Sequence, residues 1–115
     1  MFTIKTQQLE IFSKHMASNF FKETRSHIKK NFTLATKNMS DKMIDDIISH
    51  GIEKSASYNI VERRNVFKYT EYMFCFGKDF DTDPSTAWAS KILRIRNLSE
   101  DEKINRLLKT RLPNQ

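Results

Sequence analysis

Apolar side chains recur at spacings of three and four residues in several separate stretches of this chain, and that period limits the fold more than any other feature. Leu9, Phe12, Met16 and Phe20 begin it, and Ile28 and Phe32 continue it. A 3.6-residue period puts such positions on one face of a helix. The stretch therefore predicts one long amphipathic helix from Thr6 to about Phe32. Thr6 suits its N-cap, and Lys14, Lys22, Arg25, Lys29 and Lys30 fall mostly off the stripe. The polar run TLATKNMS breaks the pattern. Ser40 with Asp41 offers a second N-terminus before Met43, Ile44, Ile47, Ile48 and Ile52, with an end expected near Tyr58. Gly51 inside that helix costs about 1 kcal/mol against alanine, which points to a close helix crossing there or an early end.

The run ERRNVFKYTEYMFCFG places Val66, Tyr69, Met73 and Phe76 on one side, with Phe67 and Phe74 alongside. Its aromatic content would also suit a strand, but its length and the stop at Gly77, where a left-handed cap is expected, favour a central, buried helix. Asp83 is the expected N-cap and Pro84 the first turn of a fourth helix carrying Trp88, Ile92 and Leu93. Ser99 to Glu102 has the capping-box spacing and opens a short fifth helix through Ile104, Leu107 and Leu108. Only two glycines and two prolines occur, beside 38% hydrophobic and 30% charged residues, which suits helices rather than a turn-rich β fold. The expectation is an all-α, single-domain bundle of about five helices with a long N-terminal helix. It occupies residues 1–115, with a core over about 6–110 and a frayed tail from 111 to 115.

The stretch GKDFDTDPSTAW, Gly77 to Trp88, sets carboxylates at Asp79, Asp81 and Asp83. This is the first half of a calcium loop without the second. Pro84 stands where the loop needs glycine, and Ser90 where it needs a bidentate glutamate. No histidine partner or activated nucleophile accompanies the acids in sequence, so general acid–base work is disfavoured. A structural role accounts for each residue: Asp83 caps, Asp79 or Asp81 bonds turn amides, and Phe80 turns inward. His15, His27 and His50 have no i, i+4 partner and read as surface or boundary residues. The single Cys75, inside YMFCFG, is expected to be buried and inert. No catalytic residue, cofactor or metal is expected.

No apolar run approaches the roughly 18 to 20 residues that span a bilayer, and the first residues lack a cationic start before an unbroken apolar stretch. A cytoplasmic protein is expected. Its charge of +6 is uneven: residues 1–32 hold six basic and two acidic side chains, and residues 85–115 hold seven and three. Basic ends can attract nucleic acid, anionic lipid or an acidic protein surface. No recognition-helix or ribonucleoprotein motif supports nucleic acid, and the apolar face of the first helix is needed to cover the domain's own core.

From Gly51 to Leu108 the order GIEKSASY, a glutamate-led aromatic helix, FGKDFDTDP, a tryptophan and a closing DEK helix resembles a family of small, uncharacterised bacterial helical proteins. Their genes lie beside secreted toxins, spike components and type VI secretion clusters. The chain departs from that pattern at Asn59, where glycine is more usual, and at Ala87, where proline often precedes the tryptophan. The resemblance implies a non-catalytic accessory protein that binds a toxin or secretion-spike protein as adaptor or chaperone. Two alternatives stand beside it: an immunity protein neutralising a cognate toxin, or a basic nucleic-acid or membrane-surface binding module. The candidate partner contacts are Phe20, Phe21, Arg63, Arg64, Tyr72 and Trp88. A homodimer is compatible with an exposed face on the first helix.

Overall fold

The computed structural model of the chain describes residues 14–111, with side chains from 18 to 109. The elements run α1 (Lys14–Asn31), the single turn α2 (Thr33–Thr36), α3 (Asp41–Ser57), α4 (Arg63–Phe76), a 3-10 turn (Pro84–Thr86), α5 (Ala87–Leu93) and α6 (Glu100–Arg111). Six α-helices, five of seven residues or more, make an all-α fold with no strand among the described residues. Thr6, Leu9 and Phe12 lie outside those residues, as do 112–115. Arg111, expected to begin the tail, is still helical.

Local chemistry sets most of the boundaries. The Ser40 hydroxyl accepts the Met43 amide and starts α3, and the Ser99 hydroxyl accepts the Glu102 amide and starts α6. The Asp83 carboxylate accepts the Ser85 amide, but with Pro84 it starts a 3-10 turn and not the expected fourth α-helix, which begins only at Ala87 as α5 and has no side-chain cap. At the end of α3, Ile60 N–H bonds Ser55 C=O and Asn59 N–H bonds Ala56 C=O, the paired bonds of a Schellman cap. That cap needs a left-handed residue, and Asn59 supplies it with φ of 64°. Gly77 closes α4 by donating to Met73 C=O, with φ of 112° and ψ of 150°. The positive φ is as expected, but the extended ψ departs from the expected left-handed cap.

Helices α3 and α4 form the centre, α1 lies across both, and α6 packs on α4 and α5. Ile44, Ile48 and Ile52 from α3 meet Val66, Tyr69, Tyr72 and Met73 from α4, with Phe20, Phe80, Leu93, Ile104 and Leu107 closing the core. Gly51 sits where α3 crosses α4. A Cβ there would lie 2.7 Å from Thr70 Oγ1 and 3.0 Å from Met73 Sδ, so the close crossing requires glycine. Across helices, Arg25 holds Asp45 through two bonds of 2.9 and 3.0 Å, and Lys29 pairs with Asp41. Cys75 corrects its expectation. It stands two residues past buried Met73, roughly half a turn around the helix, and is exposed.

Candidate functional site

The acidic loop is a corner, and its three carboxylates point to different partners. Phe80 is 1% exposed and packs its ring 5.1 Å from Tyr69. Burying Phe80 draws Asp81 in after it, and the Asp81 side chain is 0% exposed. One of its oxygens, Oδ2, accepts the Tyr58 hydroxyl at 2.7 Å and the Lys54 ammonium at 2.9 Å. Burial is the largest influence on this carboxyl and pushes its pKa up. The hydrogen bonds from Lys54 and Tyr58, with the Lys54 charge, outweigh it, so the net shift is down. Burial and then the Asp81 bond push the Tyr58 phenol upward. The expectation that Asp79 or Asp81 bonds turn amides through its carboxylate is corrected. The Asp79 backbone carbonyl takes the Thr82 and Asp83 amides instead, and the Asp79 carboxylate faces His50 at 3.5 Å. Among the described residues no three His, Cys, Asp or Glu side chains gather as a metal-binding group.

The six candidate partner contacts fall in two places. Tyr72 is 4% exposed, within a stack where its ring meets Phe76 and Phe80, and Trp88 sits edge-on to Phe76 at 5.2 Å, half-buried. Phe20 is core as well, with Phe21 edge-on to it and half-buried. Tyr72 and Phe20 are thus anchors of this chain's own core, because α4 and α1 turn those positions inward. Arg63 and Arg64 are exposed, in the first turn of α4.

Phe20, Arg63 and Arg64 nevertheless share one feature, a groove of about 420 Å³ between α1 and α4. The Arg63 guanidinium stands 5.6 Å over the Phe20 ring and pairs with Glu23, a cation–π arrangement that keeps the apolar floor covered by a movable side chain. Phe67 extends the floor, its ring 4.8 Å from His27, which bonds Glu71 at 2.8 Å. Thr24 also lines the groove; it is 0% exposed, and its hydroxyl oxygen has no hydrogen-bond partner among the described residues. A second hollow of about 550 Å³ shares Glu23 and His27 and carries the concavity onto the outer face of α1, flanked by Lys22 and Lys30. The sequence reading missed Thr24, which continues the stripe between Phe20 and Ile28 at i, i+4. Its polar side chain hides it from an apolar count. Among the described residues no helix is long and apolar enough to cross a membrane.

Comparison of the chain with protein-family models, with curated proteins and with solved structures finds no match.

Proposed function

We propose that this chain is a non-catalytic accessory protein that holds a segment of a protein partner in the groove between α1 and α4. The observation that carries the reading is the make-up of that groove. It combines an apolar floor of Phe20 and Phe67, exposed guanidinium groups of Arg63 and Arg64 at its rim, and the Thr24 hydroxyl, unpartnered among the described residues. An apolar side chain of the partner would displace Arg63 from the Phe20 ring and bury itself there, supplying most of the affinity. Carboxylates beside it would meet Arg63 and Arg64, and the wider basic face, with Lys22 and Lys30, would speed the encounter.

The partner we propose is a secreted toxin or a secretion-spike component, on the strength of the resemblance of residues 51–108 to small proteins encoded beside such systems. The role is that of adaptor or chaperone. An inhibitor of a nuclease gains from an acidic surface that mimics the substrate, and this surface is basic, so an immunity role would fit a toxin of another class. The test is affinity capture of the tagged chain from nuclease-treated native lysate, with the bound proteins identified by mass spectrometry. A stoichiometric toxin or spike protein is expected, and its toxicity with and without this chain then separates immunity from loading. Recovery of nucleic acid or lipid alone would contradict the reading.

A further inference from the structure

Away from that groove, three cations line one hollow, with no acid among the described residues that line it. The end of α3 at Tyr58 and Asn59, the end of α5 at Leu93 and Arg94, then Arg96, and Lys103 of α6 enclose a cavity of about 480 Å³. Elsewhere, half-buried Arg25 and Lys54 have carboxylate partners in Asp45 and Asp81. Among the described lysines without such partners, Lys22 and Lys37 are exposed to water and Lys68 is half-buried. Lys103 is neither, being 3% exposed and without a carboxylate partner among the described residues. Its ammonium donates to the Tyr58 carbonyl at 2.9 Å, and two of its three donors remain.

Placing a cation by the last carbonyls of α3 is favourable, but one carbonyl offsets only part of the cost of burying an ammonium. Burial accordingly pushes the Lys103 pKa down. Arg94 and Arg96 add two further positive charges at the same hollow instead of the negative one that would relieve it. An arrangement that lacks a counter-charge among the described residues is completed by one from outside, and guanidinium forks match the oxygens of a tetrahedral oxyanion. We propose that this hollow binds a phosphoryl group, with Arg94 and Arg96 gripping its oxygens and the buried Lys103 supplying charge at its base.

The test is a titration of the ¹⁵N-labelled full chain, followed through its backbone amides at fixed ionic strength. One arm uses inorganic pyrophosphate and the other a 5′-phosphorylated dinucleotide. Saturable one-to-one shifts at Tyr58, Asn59 and Lys103 are expected, with Arg94→Gln and Arg96→Gln each weakening binding at least tenfold at unchanged melting temperature. Tighter binding of the dinucleotide would assign the phosphate to nucleic acid, and tighter or equal binding of pyrophosphate to a small phosphorylated molecule. Shifts that fail to saturate, or that survive both arginine substitutions, would overturn the proposal and leave the three cations as caps on the ends of α3 and α5. Lys103→Met supplies a second check: it should abolish binding while holding or raising the melting temperature, because it removes a buried charge.

Discussion

Tyr58 and Asp81, 23 residues apart, are joined by a 2.7 Å hydrogen bond from the phenol to Oδ2, and Lys54 reaches that same oxygen from one helical turn before Tyr58. This contact fastens the loop after α4 to the end of α3, and with it the Phe80 ring that closes the core.

Removing the charge at Asp81 should therefore cost more than a surface substitution does. Breaking a buried pair costs about 3–5 kcal/mol, and the partial exposure of Lys54 lowers the expectation for Asp81→Asn to about 2–3 kcal/mol. The net downward shift of the Asp81 pKa fixes the sign of the pH effect. Its contribution is fully present above the unfolded value of about 3.9 and is lost as pH falls through the folded value. Urea unfolding of both proteins at pH 7 and near pH 3 should show the gap between them narrowing in acid. A gap of constant size would remove the assigned role of this carboxylate.

Gly51→Ala tests the crossing of α3 and α4. Alanine gains about 1 kcal/mol in helix propensity, but its Cβ would meet Thr70 Oγ1, itself held by a 2.9 Å bond to Val66 C=O. Overpacking of about 1–3 kcal/mol should win. Adding Thr70→Ala removes the nearest clashing atom, so the double variant should recover stability relative to the sum of the single changes.

Asn59 should answer differently to two substitutions. Its φ of 64° costs a side chain such as alanine roughly 1 kcal/mol, whereas glycine takes it without strain. Asn59→Ala should lower the urea midpoint, and Asn59→Gly should leave it level or raise it. The opposite order would mean that the Asn59 side chain, and not its backbone, holds the end of α3.

What the sequence made legible is what short-range chemistry controls. The caps at Ser40, Asp83 and Ser99 act within two or three residues: Ser40 and Ser99 open α3 and α6 as read, whereas Asp83 caps a 3-10 turn and α5 begins only at Ala87. Gly51 and the stripe Ile44, Ile48, Ile52 are similarly local. Other contacts join residues far apart in the chain, and no spacing announces them. Glu100 accepts the Val61 and Glu62 amides and Asn65 Nδ2, securing the start of α4 from the start of α6. The partner-contact reading divided on the same line. Arg63 and Arg64 were legible as exposed cations, whereas the burial of Phe20 and Tyr72 depends on which helices cover them. The basic C-terminal stretch was visible as charge, but its convergence on Lys103 needed the fold.

The most direct measurement is a side-by-side capture with the wild-type chain, the Arg63→Glu/Arg64→Glu variant and a Lys37→Glu/Lys91→Glu control that carries the same charge change on exposed residues outside the groove. After nuclease treatment, the wild type and the control should retain a stoichiometric protein partner, and the groove variant should lose at least tenfold of it at an unchanged melting temperature. Equal retention by all three, or equal loss from both variants, would contradict a partner held between α1 and α4.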